Sequence, residues 1–295
     1  MSRKKISEIA KTRTLVSDGA WGTYLQRKGL EPGECPEKWN LDKPDEVLDI
    51  AQSYANAGAD MIGANSFGGS KLKLEHYGLS DKCFEINKAA AEISRKAAGE
   101  DKWVLGSLGP CGKMLLMGDV TEEQMYESFA EQVKGLEAGG ADAICVETMS
   151  DVQEASLAVK AAKDHTECEV ICTLTYEQTT GGEYRTMMGI DPQAGTKAAI
   201  EADADIVGTN CGNGFERMID IVKQIKTVCG DMPILIHANA GLPENVDGVD
   251  VFPDTPEFMA SLVKDITKAG ANVVGGCCGT TPEHISAIAQ AARES

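Results

Sequence analysis

The sequence contains no apolar run long enough to cross a bilayer. Its longest apolar stretches are about five to eight residues, whereas a membrane-spanning helix needs ~20. The opening residues, MSRKKISEIAKTRTLVSDGAWG, include basic side chains but no apolar core of the kind that secretory signal peptides carry. These absences argue against a transmembrane or secreted protein, and we expect a cytoplasmic one.

Basic residues are few relative to acidic residues. Lys and Arg number 28 and Asp and Glu number 46 among 295 residues, which gives a net charge of −18. Nucleic acids and anionic membrane surfaces are bound through clustered positive charge. We therefore expect no nucleic-acid or membrane partner, and we interpret the acidity as favouring solubility.

Low-complexity segments, long linkers and sharp changes in composition are absent as well. We therefore predict a single domain over residues 1–295, since barrels of ~250 residues are commonly single domains. The chain contains ten cysteines. In a cytoplasmic chain of this size, that number is more typical of buried thiols or metal ligands than of disulfides.

Short β-branched runs alternate with amphipathic stretches over the whole length. We predict eight strands, near residues 14–19, 60–67, 103–110, 143–148, 169–176, 205–211, 233–240 and 272–278. The stretches between them carry apolar residues at spacings of three and four, which is typical of helices packed on one face. Eight strands, each followed by a helix, predict an α/β fold of the (β/α)8 TIM-barrel type. A doubly wound open sheet is the alternative.

A repeated segment supports the barrel. GADMIGAN, GADAICVE, DADIVGTN and GANVVGGC each combine a helix end, a turn and a strand, and they mark the second, fourth, sixth and eighth predicted strands. At one equivalent position they hold Asn65, Glu147, Asn210 and Cys277. Alternate strands of a barrel fill a common layer, and active sites lie at the carboxyl ends of the strands. We expect these four side chains at the mouth; polar groups satisfied at strand ends are the non-functional alternative.

Three cysteines stand at the ends of two predicted strands. Cys211 ends the sixth, and Cys277 and Cys278 end the eighth. Adjacent residues of a regular strand point to opposite faces, but the glycines of GGCCGTT allow both thiols to turn towards one point. Three thiolates suit tetrahedral Zn²⁺ with its fourth position left for a substrate, and a thiol bound there would be a thiolate. Such a site suits alkyl transfer to sulfur.

Other interpretations of the same residues stay open. The cysteines could be core residues, or GGCCGTTPEH could bind phosphate before a helix that starts at Pro282. A disulfide between Cys277 and Cys278 is disfavoured because adjacent cysteines form only strained bridges. His237, in the seventh strand, is a candidate contact for metal or substrate, whereas His284 is interpreted as structural or surface. The acidic loop 241–256 could be a lid or a solvated excursion.

Taken together, these residues resemble the homocysteine S-methyltransferase family. The matching segments are DGAWGTYL, GANSFGGSKLKLEHYGL, GSLGPCG, VETMSD, GTNCGNG and GGCCGTTPEHI, in the right order over nearly the whole chain. The resemblance implies a (β/α)8 barrel. It also implies one zinc ion per chain, held by the cysteine of a G-x-N-C segment and by a C-C pair, which here are Cys211, Cys277 and Cys278.

A further segment, NAGLP at 239–243, resembles the homocysteine-binding module of cobalamin-dependent methionine synthase. This resemblance implies that Asn239 can approach the zinc when homocysteine is absent, and that the methyl group comes from a methylcorrinoid. The sequence stops at Ser295, which leaves no room for cobalamin- or folate-binding modules, so we expect the corrinoid on a separate protein. His237 and Ala238 stand where we expect Tyr-Pro.

Matching the motifs gives the expected substrate contacts. They are Asp18, Gly19, Asn65, Ser66, Glu147, Thr148, Asn210 and Asn239. Asp18 and Glu147 would receive the amino group of homocysteine and, with the three cysteines, form the catalytic set. Backbone amides around Gly19 and Ser66 would bind its carboxylate, and Asn210 would orient the neighbouring strand end. For Asp18 the alternative is the N-cap of the first helix.

The sequence therefore predicts zinc-dependent methylation of homocysteine to methionine. Neither carboxylate needs to act as a general base, because the metal takes over the role of removing the thiol proton. One alternative keeps this chemistry with S-methylmethionine, betaine or another thiol as substrate. Two others are a phosphate-binding aldolase or isomerase barrel, disfavoured because no predicted strand contains a lysine, and a non-catalytic zinc barrel that docks a corrinoid protein.

Overall fold

Eight parallel strands form a ring in a computed structural model that describes residues 4–246 and 249–294. They are β1 Leu15–Val16, β2 Met61–Gly63, β3 Trp103–Leu108, β4 Ala143–Met149, β5 Glu169–Leu174, β6 Ile206–Asn210, β7 Ile234–Ala238 and β8 Val273–Gly276. Each strand pairs with its neighbours in chain order and β8 pairs with β1, while a bridge between Ser17 and Met61 joins β1 to β2. The predicted (β/α)8 barrel is confirmed, and the open sheet is excluded.

One helix of ten or more residues follows each strand. The α-helices of the described residues are α1 Ile6–Ile9, α2 Gly22–Arg27, α3 Trp39–Asp42, α4 Pro44–Asn56, α5 Lys71–Leu74, α6 Cys83–Ala98, α7 Glu122–Ala138, α8 Val152–His165, α9 Pro192–Glu201, α10 Phe215–Lys226, α11 Pro256–Ala269 and α12 Pro282–Arg293. Four short 3-10 turns lie at Pro36–Lys38, Glu75–Tyr77, Ser80–Lys82 and Leu115–Met117. Within these ranges no helix combines the length and the apolar character that a bilayer crossing requires.

The outer helices pack on the ring through one apolar face. In α10 the buried side chains are Phe215, Met218, Ile221, Val222 and Ile225, which share a face because they are spaced three and four apart. Side-chain caps fix where several helices begin. Thr121 and Thr255, for example, accept hydrogen bonds from the third backbone amide of α7 and α11. The connections after β4, β6 and β8 are short, whereas those after the other strands are longer, and all of them gather at the carboxyl end of the barrel.

The amino-terminal half of the barrel interior is filled by apolar side chains. One cluster there is formed by Ile6, Ala10, Leu15, Met61, Trp103, Leu105, Ala143, Cys145, Ile171, Ile206, Leu235 and Val273. The helix α1 closes this end, and the carboxylate of Glu169 accepts hydrogen bonds from the amides of Ile6 and Ser7. With this end packed, polar side chains that point inward collect at the opposite end of the strands.

Two small hairpins extend the loops at the carboxyl end. Glu177–Gln178 pairs with Tyr184–Arg185 after β5, and Glu244–Val246 pairs with Val249–Val251 after β7. The second hairpin falls in the segment predicted as a lid or solvated excursion, of which residues 247 and 248 lie outside the described residues. The segment returns to the barrel, because Phe252 packs directly on Gly279, beside the cysteine pair.

Candidate active site at the mouth of the barrel

A cavity of about 320 Å³ opens at the carboxyl ends of the strands. Its size lies at the lower end of small-molecule sites, which run from ~300 to 1,000 Å³. The chemically active side chains in its lining are Asp18, Glu147, Cys211, His237, Cys277 and Cys278. They follow strands that are far apart in sequence, so only the closed ring brings them together.

Three thiols converge on one side of this cavity. The Sγ atoms of Cys211, Cys277 and Cys278 all lie within 4.8 Å of one another, and those of Cys211 and Cys278 are 3.9 Å apart. Thiolates ~2.3 Å from a tetrahedral Zn²⁺ would be roughly 3.8 Å apart. The three cysteines therefore fit such an ion, with one position left towards the cavity.

The backbone leaves strand geometry where these thiols converge. Cys211 lies in the left-handed region, with a φ of 59°, and Gly212 follows at 70°. The pair Cys277–Cys278 is followed by Gly279, with a φ of 80°. A left-handed conformation in a non-glycine residue costs ~1–3 kcal/mol and persists only where surrounding structure imposes it. Both cysteine loops are anchored on β7, since Cys211 and Cys277 donate backbone hydrogen bonds to His237 and Ala238.

The three thiols change one another's pKa values. Hydrogen bonds from Cys277 and Cys278 lower the pKa of Cys211, and the side chain of Asn239 adds to this effect. The pKa values of Cys277 and Cys278 are raised, chiefly by the hydrogen bonds that they share with Cys211. Cys211 is therefore the most readily deprotonated of the three thiols, and a thiolate there would attract a cation.

The other seven cysteines have a different environment. Burial raises the pKa of every one of them: Cys35, Cys83, Cys111, Cys145, Cys168, Cys172 and Cys229. They are free thiols, and the group of possible metal ligands among the described residues contains none of them. The chemistry of the cysteines is confined to the cluster at the mouth.

Asp18 lies at the base of the cavity, after β1. Its Oδ2 accepts hydrogen bonds from Trp21 Nε1, at 3.0 Å, and from the amide of Gly63, at 2.7 Å. Burial raises the pKa of Asp18 to about 6 despite these bonds. Asp18 is not the N-cap of the helix that follows, because α2 begins at Gly22 and Trp21 holds the cap position.

Glu147 faces the same cavity from the end of β4. Its Oε1 accepts a hydrogen bond from Ser107 Oγ, and its Oε2 lies 4.0 Å from His237 Nδ1. Ser107 was not among the predicted site residues, although it lies within the segment GSLGPCG. Asp18, Glu147 and Glu37 put three acidic side chains in the lining of one small cavity, which favours a cationic group.

Asn210, expected among the substrate contacts, does not line the cavity. Its Oδ1 accepts hydrogen bonds from the amide of Thr148 and from Thr173 Oγ1, both at 2.7 Å. Its Nδ2 donates to Thr148 Oγ1 at 2.8 Å. These hydrogen bonds occupy the side-chain amide of Asn210 and link β4, β5 and β6. It also holds Thr148, which does line the cavity, in a left-handed conformation with a φ of 60°.

Asn239 also lies outside the lining of the cavity. It is buried beside the thiol of Cys211, to which its side chain hydrogen-bonds. Its Oδ1 has no hydrogen-bond partner among the described residues. The structure therefore places Asn239 next to the thiol cluster rather than against the space for a substrate.

In the turn after β2, Asn65 and Ser66 were expected to contact the substrate, but both use polar groups for hydrogen bonds within the protein. Asn65 lines the cavity, but its Nδ2 donates to Pro36 O at 2.8 Å and to Asn40 Oδ1 at 3.0 Å. The amide of Ser66 donates to Ala64 O at 2.8 Å, so this tight turn already uses the amide predicted for a substrate carboxylate. Among the described residues, the amides of Gly19 and Phe67 have no such acceptor, and both residues line the cavity.

Sequence reasoning missed several residues that shape the site. Thr280 Oγ1 donates to Cys277 O at 2.8 Å and accepts from the amide of Ala20 at 3.1 Å, which joins the loops after β8 and β1. Trp21 and Thr280 lie in quoted motifs and could have been found there. Glu37, a buried carboxylate in the cavity lining whose Oε1 accepts from the amide of Gly68 at 2.6 Å, stands in no motif.

His284 has the structural role that was expected for it. Its Nδ1 lies 2.9 Å from Thr281 Oγ1 in a capping box at the start of α12, and Pro282 takes the predicted first helical position. The Nε2 of His284 lies 2.9 Å from Asp254 O. These contacts fix the loop that follows the cysteine pair.

Replacing Asp18 by Asn should stabilise the substrate-free protein above pH 6. Burial raises the pKa of Asp18 from 3.8 to about 6, so the folded protein binds this proton more tightly than the unfolded chain does. Burying the charged carboxylate lowers the free energy of unfolding. This loss is absent below pH 4, grows between pH 4 and 6, and then stays constant at up to about 3 kcal/mol. Urea denaturation of both proteins between pH 4 and 8 tests this, and a difference that does not change with pH would contradict it.

A closed parallel barrel whose cavity at the carboxyl ends of the strands is lined by a thiol cluster and by carboxylates has the architecture of the TIM-barrel enzymes, whose active sites lie at that end. The model of the homocysteine S-methyltransferase family matches residues 15–292, and the chain belongs to this family.

Curated relatives include two methionine synthases. Those of Mycobacterium leprae (strain TN) and Mycobacterium tuberculosis (strain ATCC 25618 / H37Rv) are each 32% identical over 305 aligned positions. Each match covers 96% of this chain and 25% of the relative. The chain thus spans about a quarter of the length of these two proteins.

Solved structures share the fold. The homocysteine methyltransferase MmuM from Escherichia coli in its metallated form has a TM-score of 0.78 at 20% identity, over 96% of this chain and 98% of that one. A methyltransferase from Methanosarcina mazei has a TM-score of 0.62 at 11% identity, over 97% and 96%. At these identities the likeness concerns the fold of the barrel alone.

Proposed function

We propose that this barrel methylates the sulfur of homocysteine to give methionine, using one Zn²⁺ held by Cys211, Cys277 and Cys278. The observation that carries this proposal is the set of three thiols within 4.8 Å of one another in the wall of a cavity that also contains Asp18 and Glu147. The thiols supply a soft metal site, and the carboxylates supply a site for an amino group. A small substrate that carries both a thiol and an ammonium matches this arrangement.

The chemistry of the donor set favours zinc. Three thiolates are soft ligands, and their spacing suits a tetrahedral ion with one position open. When bound, Zn²⁺ would keep the thiol of the substrate deprotonated at neutral pH. Neither Asp18 nor Glu147 then needs to take the thiol proton, and both remain free to hold the substrate in place.

The side chains around the cavity orient the substrate. Asp18 and Glu147 accept hydrogen bonds from its ammonium, which places the charge of the substrate opposite two buried acids. The free amides of Gly19 and Phe67 can donate to its carboxylate at the rim. With the ammonium and the carboxylate on the α-carbon both held, the sulfur at the other end of the side chain can reach the thiol cluster.

We propose a methylcorrinoid, bound outside this barrel, as the methyl donor. Two considerations support it: the NAGLP segment, and relatives that are named methionine synthase. A corrinoid is far too large for a cavity of about 320 Å³, so its methyl group would have to be presented from outside the mouth. The second candidate is a small onium donor, such as S-methylmethionine or betaine, because the same volume leaves room for a compound of that size.

Methionine formation from L-homocysteine tests the proposal. Zinc-loaded protein is incubated with methylcobalamin, S-methylmethionine or betaine, and each assay is repeated after removal of the metal by a chelator and after restoration of Zn²⁺. We expect methionine with methylcobalamin, loss of it on chelation and recovery with zinc. Methionine only with an onium compound would replace the corrinoid by the second candidate. No methionine from any donor, with zinc bound, would contradict the proposed reaction.

A further inference from the structure

His237 is a buried imidazole in the wall of the cavity, and neither of its ring nitrogens has a hydrogen-bond partner among the described residues. The residue is 7% exposed, its Nε2 has no partner, and its Nδ1 lies 4.0 Å from Glu147 Oε2. Hydrogen bonds to nitrogen end near ~3.2 Å, so this last separation is too long for one. Buried polar groups are rarely left unpaired, and since the ring lines the cavity, its Nδ1 is available to a ligand there.

The position of the imidazole is fixed by its neighbours. Its strand neighbour in β8 is Gly275, where a Cβ atom would lie 2.8 Å from His237 Cδ2 and 2.8 Å from Ser17 Cβ. The ring thus occupies the space that a side chain at 275 would fill. From there the Nδ1 of His237 faces Glu147 Oε2 across 4.0 Å. It is not a member of the group of possible metal ligands among the described residues, which contains the three cysteines alone.

An ammonium group needs three acceptors, and the carboxylates of the lining do not supply all of them. Both oxygens of Glu37 already accept hydrogen bonds, from the amide of Gly68 and from Cys35 Sγ. Asp18 Oδ2 is already occupied by Trp21 and Gly63, and Glu147 Oε1 by Ser107. Asp18 Oδ1 accepts only a long hydrogen bond from Ser17 Oγ, at 3.4 Å, and Glu147 Oε2 accepts none among the described residues, so these two oxygens remain for an ammonium with three N–H donors.

The gap between His237 and Glu147 has the right size for the remaining donors. A nitrogen placed ~2.9 Å from both Nδ1 and Oε2, which are 4.0 Å apart, sees them at an angle of roughly 90°. Two N–H bonds of one ammonium can point to both atoms with modest bending. The third N–H bond can point to Oδ1 of Asp18.

We propose that neutral His237, through Nδ1, is the third acceptor for the ammonium of the substrate and so selects thiols that carry an α-amino group. This inference rests on the proposed function, since homocysteine is the substrate that supplies the ammonium. The proton of the imidazole is then on Nε2, and Nδ1 presents its lone pair to the substrate. A substrate without the amino group would leave the three acceptors unpaired in a buried site, which sites of this kind penalise strongly.

The experiment compares two substrates and two variants. L-Homocysteine is compared with 4-mercaptobutanoic acid, which has the same chain without the amino group. In the first variant, His237→Leu, the ring is replaced by an apolar side chain of similar size. In the second, His237→Asn, an acceptor is kept, because Asn Oδ1 stands at the same position along the side chain as His Nδ1.

For His237→Leu we expect the Kd and KM of homocysteine to rise about 10- to 100-fold, the usual effect of losing a hydrogen bond to a charged group. The values for 4-mercaptobutanoic acid should change less than about threefold, and bound zinc should stay constant. His237→Asn should recover most of the discrimination between the two thiols. The control is His165, whose imidazole lies on the outside of the barrel. The substitution His165→Leu should leave the Kd and KM of both thiols unchanged.

Calorimetric binding to zinc-loaded protein separates this inference from the proposed reaction. Homocysteine that binds but is not methylated would count against the reaction, and the comparison of the two thiols by Kd would still decide the role of His237. Equal losses for both thiols in His237→Leu would show a structural role and overturn the inference. The inference would also be wrong if the protein without substitutions bound homocysteine and 4-mercaptobutanoic acid equally well.

Discussion

Replacing any one of Cys211, Cys277 and Cys278 by serine or alanine should remove bound zinc and methyl transfer together. Each thiol supplies one of three ligands, and the loss of one leaves an incomplete site. Removing a group that only hydrogen-bonds to a metal ligand costs about 10- to 100-fold in metal affinity or activity. Removing a ligand itself should therefore cost more than about 100-fold. Zinc content by mass spectrometry and methionine formation on the same samples measure the effect.

The control for these variants is Cys168→Ala. Cys168 lies at the opposite end of the barrel, before β5, and its thiol donates to Ala141 O. This variant should keep its zinc and its turnover. Methionine formation by a cluster variant that contains no zinc would refute the proposed role of the metal.

Replacing Gly208 by alanine should prevent the barrel from folding stably. Gly208 pairs with Leu235 between β6 and β7, and a Cβ atom there would overlap the carbonyl oxygen of Leu235 and lie 2.8 Å from its carbonyl carbon. Backbone cannot move aside as a side chain can, so the two strands would have to separate. We expect a loss of more than about 4 kcal/mol, which is an exceptional cost for one substitution.

Thermal and urea denaturation of purified protein would measure this loss. Gly181→Ala is the matched control, because the nearest atom to a Cβ at Gly181 is Thr179 Oγ1 at 3.7 Å, which is an ordinary contact. That variant should stay within about 0.5 kcal/mol of the unchanged protein. A Gly208→Ala protein with normal stability would show that β6 and β7 are not so closely apposed.

The barrel was predictable because its signal is repeated. Every strand is a buried parallel strand and therefore a short apolar run, and every helix shows its spacing of three and four. Counting along the repeats also placed Glu147 and Cys277 in the wall of the cavity. The strand ends themselves were harder. In β4 the pairing shifts between Val146 and Met149, and Thr148 adopts a left-handed conformation, so the alternation of faces no longer holds there.

Contacts that depend on distant segments could not be read from the sequence. Asn210 occupies the same repeat position as Glu147, yet its amide is bound by Thr148 and Thr173 of neighbouring strands. The buried carboxylate of Glu37 comes from a loop that no periodicity marks. Which polar side chain meets a substrate, and which one holds a loop, is decided by such partners, and these are set by the closed ring.

The hydrogen bond between Thr280 and the amide of Ala20 joins residues 260 positions apart and closes the site over the seam between β8 and β1. During synthesis on the ribosome, Asp18 and Cys211 emerge well before the cysteine pair that completes the cluster. No shorter nascent chain can present all three thiols, so the three-thiol site forms only once the eighth strand has joined the seventh. Metal loading would thus report that the last strand of the barrel is in place, and chains that lack it would not hold the complete site.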